Sequence, residues 1–226
     1  MAIITISRQY GSGGQEIATL LCDLLGYRYF DKRLMAQVAS EVALSDQEIV
    51  DFCEDNYTVR GFSERLFGSN RRETQSGSPV PDLKADAADT KKVTEVEKPD
   101  EEYCINLVQN IICAAYKRDN IVIVGRGGQA LLKDKPNVLH VRIEAPLFSR
   151  AQRLQVKENL TIAQGLETVD SRDRAAEAYL RRFYQIDWTD PMLYHLTINT
   201  GKWRVEDAAQ IIADATKLLK PERIVD

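Results

Sequence analysis

The chain has 226 residues, 44% of them hydrophobic and 28% charged, with a formal net charge of −4. That length buries one sizeable core, or a core with a small inserted subdomain. The mildly acidic balance argues against a general nucleic-acid or membrane-surface binder. No apolar run approaches the ~20 residues of a membrane span. A first strand opening at residue 2 is read as leaving no room for a signal peptide, so a cytoplasmic location is expected.

The apolar run from Ala2 to Ile6 has the length and β-branched content of a buried parallel strand. It leads, past Arg8, into Gly11-Ser12-Gly13-Gly14. Ile17, Leu20, Leu21, Leu24 and Leu25 then recur with helical spacing, and Gly26 is placed as the C-terminal stop. Residues 27–31 read as a short second strand ending in the carboxylate of Asp31, with a helix over 32–42 and another opened by the capping-box spacing of Ser45 and Glu48. Residues 69–102 contain no Phe or Trp and are dominated by Ser, Pro, Asp, Glu, Lys and Thr. Such a segment buries too little apolar area to offset its ordering entropy and reads as a flexible insertion, either a solvated loop or a ligand-ordered cover.

Beyond it, Cys104, Leu107, Val108, Ile111, Ile112 and Ala115 mark one helical face, and Ile121 to Val124 form an apolar strand running into Gly125-Arg126-Gly127-Gly128. A strand over 138–143 precedes a helix over 146–158, and Thr161 with Gln164 caps a long helix from Ile162 towards Tyr184. Residues 195–199 are a last strand, and Val205, Ala209, Ile212, Thr216 and Leu219 mark a closing helix. Five strands alternating with helices predict a single α/β domain with a doubly wound parallel sheet, whose ligands sit at the carboxyl ends of the strands. Cys22, Cys53, Cys104 and Cys113 lack CxxC spacing and read as free thiols, and the two histidines form no ligand-spaced pair, so no zinc site is expected.

Strand, glycine turn and helix together cradle phosphate, because glycines let backbone N–H groups converge on an anion and the helix N-terminus adds partial positive charge. Gly11, Ser12, Gly13, Gly14, Gln15 and Glu16 are the candidate phosphate-binding residues. Against the pattern G-x-x-x-x-G-K-[ST], however, Arg8 stands at the first glycine and Gly14 at the lysine. Glu16 either stabilises the helix dipole or supplies a magnesium ligand, the pattern's hydroxyl residue being absent. Arg126, at a strand's carboxyl edge among glycines, suits a phosphate bidentately; its alternative is a structural pairing with an acid such as Asp31. Arg172 and Arg174, with Arg181 and Arg182, either gather charge over a transferring phosphoryl group or form a solvated, ion-paired face. Asp31 is a candidate for holding magnesium through water, for accepting a proton, or for capping the helix after it.

The segments 6–14, 29–31, 123–127, 136–139, 145–147 and 187–191 together resemble the cytidylate kinase-like proteins, relatives of the nucleoside monophosphate kinases. The resemblance covers the chain on both sides of the insertion. It implies a phosphate-loop kinase fold with a helical lid over about 160–190, ATP and magnesium as donor, and a CMP-like nucleoside monophosphate as acceptor. It implies that Arg126 binds the acceptor phosphate, with Gly127 standing where an aspartate is usual, and that Arg172 and Arg174 are lid arginines. The usual lysine falls at Gly14, an acceptor-binding arginine falls at Gln37, and Arg8 is the residue near the loop able to substitute for the lysine. The expected function is therefore phosphoryl transfer to a small acceptor, with no nucleic-acid or membrane partner. A nucleotide-binding regulator that lost catalysis with its lysine is the alternative, and an interaction module using the insertion is a third reading.

Overall fold

The computed structural model describes residues 2–30 and 101–219. Asp31, the helices expected over 32–42 and from Ser45, Gln37, Cys53 and the insertion through residue 100 lie outside the described residues. In chain order the elements are β1 (Ile3–Arg8), α1 (Gly14–Leu25), β2 (Arg28–Tyr29), α2 (Glu101–Tyr116), β3 (Ile121–Val124) and α3 (Gly128–Leu131). They continue with β4 (Val138–Glu144), α4 (Leu147–Glu158), α5 (Ile162–Tyr184), a 3-10 turn (Pro191–Leu193), β5 (Leu196–Asn199) and α6 (Val205–Leu218).

The sheet has five strands in the order β2-β3-β1-β4-β5, and every pairing is parallel. β1 is central: Ile3 lies opposite Ile121 of β3 and Val138 of β4. Its run is buried on both sides because both faces carry helices. Ile4 and Ile6 pack with Ile17, Leu21, Ala209 and Ile212 of α1 and α6. Ile3 turns to the opposite face, with Ile121, Ile123 and the α2 residues Val108, Ile111 and Ile112. Period-two alternation along one strand therefore feeds two helical layers.

β1 runs two residues beyond the expected end, because Ser7 and Arg8 still pair with Arg142 and Ile143. Glu101 and Glu102, expected from composition to end the insertion, already belong to α2. Gly26 closes α1 in the left-handed conformation, as expected of a C-terminal glycine. Thr161 and Gln164 form the full capping box of α5. Cys22 and Cys113 are free, and burial pushes the Cys22 thiol up to about 11. Among the described residues, no helix is long and apolar enough to cross a membrane.

Candidate functional site

The loop that leaves β1 is held from three sides. Gln9 N–H donates to the Ile143 carbonyl at 3.0 Å, and the Gln9 side-chain oxygen accepts Ala145 N–H at 3.1 Å. The Ser12 hydroxyl donates to Ile143 at 3.3 Å, and the Ser12 carbonyl accepts the Thr200 hydroxyl at 2.6 Å. Gly11 and Gly13 take φ values of 75° and 86°, which glycine adopts without strain, and α1 starts directly at Gly14. The first-turn N–H groups of α1 have no intrahelical partners, so the loop and helix end form an anion-attracting cradle.

A cavity of about 280 Å³ opens over this cradle, bounded by residues 8–16 of the loop, by α4 and by α5. Arg8, Arg153, Lys157 and Arg172 all line it. Arg153 and Lys157 stand four apart on α4 and so share a face. The Arg153 guanidinium donates to the Gly11 carbonyl at 3.3 Å and to Thr200 at 2.9 and 2.6 Å, which fixes it against the loop. Burial draws the Arg153 guanidinium below its ordinary value while the Glu16 charge acts against this; it remains a cation at neutral pH. Lys157 pairs with Glu16 at 2.7 Å. Burial pushes the Glu16 carboxyl upward, but the hydrogen bond and charge of Lys157 outweigh it, and the group stays below its usual range.

Helix α5 reaches the cavity through Arg172, and the neighbouring Asp173 holds the loop. Arg172 stands over the Tyr10 ring, 5.6 Å from its centroid. Asp173 accepts the Tyr10 N–H at 2.9 Å and the buried Arg150 guanidinium at 2.5 Å. Arg174 lies outside the cavity, exposed and paired with Asp170, and Arg181 is likewise paired with Glu177. At 100° per residue, Arg172 and Arg174 cannot share a helix face.

The second glycine turn lies on the other side of β1. Gly125, Arg126 and Gly127 have consecutive φ values of 69°, 58° and 70°, and Gly125 N–H donates to Ile6 of β1 at 2.9 Å. The left-handed region is strained for an arginine. Arg126 donates to the Phe30 carbonyl at 3.3 Å and stands 5.7 Å from the Phe30 ring centroid, away from the loop cavity. Tyr184, the last residue of α5, donates its hydroxyl to the Arg126 carbonyl at 2.9 Å. A Cβ at Gly127 would lie 2.2 Å from the Tyr184 ring, so an aspartate has no room there.

The segment after α5 is clamped to the sheet by a residue that sequence reasoning did not single out. Arg142 of β4 is 4% exposed, donates to the Trp188 carbonyl at 2.6 Å and lies 4.8 Å from the Trp188 ring centroid. Tyr194 donates to the same carbonyl at 2.7 Å and meets Ser7 of β1 at 3.2 Å. Arg153 and Lys157 were also missed. Their signal was a basic pair four apart on the helix after β4, which spacing alone does not distinguish from a solvated helix face.

The sheet thus carries a cation-lined cradle on the β4 side of β1 and a further arginine, Arg126, on the β3 side. A model of the cytidylate kinase-like family matches residues 3–202. The cytidylate kinase of Methanocaldococcus jannaschii is 35% identical over 107 residues, which is 46% of this chain and 60% of that enzyme. The cytidylate kinase of Aeropyrum pernix is 28% identical over 100 residues, again with only 58% of that enzyme spanned. The cytidylate kinase of Halobacterium salinarum is 25% identical over 223 residues, 98% of this chain and 92% of that enzyme. A solved structure of an uncharacterized protein from Eubacterium ventriosum shares the fold with a TM-score of 0.63 at 20% identity, covering 96% of this chain and 99% of that one.

Proposed function

The chain belongs to the cytidylate kinase-like family, and from that premise we propose that it transfers the γ-phosphoryl group of ATP to a nucleoside monophosphate of the CMP type. The observation that carries the reading is the placing of cations on both sides of the β1 terminus: Arg153, Lys157 and Arg172 around the loop cavity, Arg126 across the strand. A donor and an acceptor, each ending in phosphate, need cations on either side of the strand that ends between them.

In this scheme the N–H groups of residues 11–16 and the start of α1 bind the donor phosphates, and Arg126 holds the acceptor phosphate. Arg172, carried by the lid helix α5, closes over the donor. The bond from the γ-phosphorus to the β,γ-bridging oxygen breaks as a bond to an acceptor phosphate oxygen forms, giving ADP and a nucleoside diphosphate. Positioning and charge stabilisation supply most of the rate in such transfers. Magnesium neutralises phosphate charge when bound.

The test is transfer of label from [γ-³²P]ATP with magnesium to a panel of nucleoside monophosphates. A labelled diphosphate from CMP or a close analogue is expected. ATP binding without transfer to any panel member would refute the reading in favour of a nucleotide-binding regulator.

A further inference from the structure

In the phosphate-loop pattern a glycine opens the motif and a lysine follows the second glycine; here Arg8 and Gly14 occupy those positions in reverse. The structure links the two. A Cβ placed on Gly14 would lie 2.8 Å from the Arg8 Cβ and 3.0 Å from its Cγ. These atoms are at the stiff root of the side chain, so turning its far end does not relieve the contact. Gly14 is not among the glycines with positive φ, so space rather than backbone conformation demands a glycine there. Side chains at both positions would force the strand end and the helix start apart.

Arg8 fills that space as a buried cation, 6% exposed, at the end of the central strand and on the wall of the loop cavity. We propose that positions 8 and 14 are an exchanged pair: Arg8 supplies from β1 the phosphate-gripping cation that the pattern supplies from the start of the helix, and Gly14 is the space it requires. The ligand is the terminal pair of phosphates of a nucleoside triphosphate. The exchange replaces a compact ammonium by a planar guanidinium that grips two oxygens at once. The inference rests on the proposed function for its ligand, and makes a claim of its own: the cation can be moved back to position 14.

The test compares the wild-type chain with Arg8→Met, Gly14→Lys and the double variant Arg8→Gly/Gly14→Lys. ATP and inorganic pyrophosphate binding are read by calorimetry, Tm by thermal denaturation, and turnover where it exists. Arg8→Met keeps the stem and the fold while losing the charge. It is expected to lose at least tenfold in ATP affinity and about 10²–10³ in turnover, the cost of one deleted donor at such a site. Gly14→Lys alone is expected to lower Tm, because two stems compete for one space. The double variant is expected to regain Tm and to bind ATP at least tenfold more tightly than Arg8→Met.

An Arg8→Met chain that binds ATP within threefold of wild type overturns the inference, as does a double variant no tighter than Arg8→Met. A wild-type chain that transfers phosphate to no nucleoside monophosphate, yet loses ATP binding with Arg8→Met, refutes the kinase reading and upholds this one. A wild-type chain that binds neither ATP nor pyrophosphate overturns both.

Discussion

The Asp173 carboxylate on α5 accepts the backbone N–H of Tyr10, 163 residues earlier in the chain, at 2.9 Å, and its other oxygen takes the Arg150 guanidinium at 2.5 Å. One side chain therefore ties together the glycine loop after β1, the helix after β4 and the helix that overlies the cavity. The Arg150 side chain is 6% exposed and Asp173 is 19% exposed, so this pair is largely withdrawn from water. Asp173→Ala is expected to cost about 3 kcal/mol, since it leaves a buried guanidinium with its charge unpaired. Asp173→Asn, which keeps an acceptor for Tyr10, is expected to cost less. Urea denaturation of both variants checks the order; equal stability to wild type in both would dismiss the latch.

Lys157 separates binding from folding. Its pair with Glu16 joins side chains that are 55% and 47% exposed, and such pairs contribute about 0–1 kcal/mol. Lys157→Ala should leave the urea midpoint almost unchanged and weaken ATP binding by roughly three- to tenfold, the effect of one phosphate-facing charge in a partly solvated site. Calorimetric titration with ATP reads the difference. Unchanged affinity would remove Lys157 from the donor site.

The Arg142 clamp predicts that a lysine is no substitute. Arg142→Lys loses the forked donation and the stacking on Trp188 and is expected to cost about 1–3 kcal/mol. Of the two tryptophans, Trp188 is 5% exposed and Trp203 is 51% exposed. Release of the segment after α5 should therefore red-shift the buried component of the emission. An unaltered spectrum and Tm would show that this segment is held by other contacts.

His140 predicts a pH dependence. Its Nδ1 meets the Thr5 hydroxyl at 2.7 Å, and its ring stacks on His195 with centroids 5.2 Å apart. Burial, followed by the charge of His195, holds His140 at about 4 against its ordinary 6.5. Between those values the unfolded chain binds a proton that the folded chain refuses. This contribution to stability is whole above pH 6.5 and declines as the pH falls towards 4, by a total of about 3 kcal/mol. The slope should be shallower in His140→Asn when urea midpoints are compared from pH 7 to pH 4. Parallel curves would contradict it.

Much of this architecture was legible in the residues, for physical reasons that differ by element. β3 is an uninterrupted apolar run ending in a glycine turn, and β1 opens on β-branched residues that are apolar but for Thr5, patterns that suit strands buried on both faces. Thr161, Gln164 and Gly26 act within their own helices, so local chemistry announces them. Arg142, Arg150 and Asp173 act across the chain, and nothing in their immediate neighbours distinguishes a buried clamp from a solvated charge. Of the two arginines expected to close over phosphates, Arg172 lines the cavity, while Arg174, two residues on and so on the opposite side of the helix, pairs with Asp170. Gly14 was legible as a missing lysine but not as the consequence of Arg8, because that relation exists only when strand end and helix start are folded against each other. Asp31 lies outside the described residues, and its sequence reading stands as it was.

The strand order sets a timetable for synthesis. β1 pairs with β3 and β4 on its two sides and with no strand nearer in the chain; Thr5, for example, lies opposite Ile123 and His140. At ~5–20 residues per second, a ribosome reaches His140 roughly ten seconds after making Thr5. For that interval the Ile-rich first strand exists with both edges open, and this is the state in which such a strand aggregates or is held by a chaperone. The element that carries the phosphate loop is thus made early and secured late. Slowed translation between β2 and β3 should lower the soluble yield without altering the finished protein.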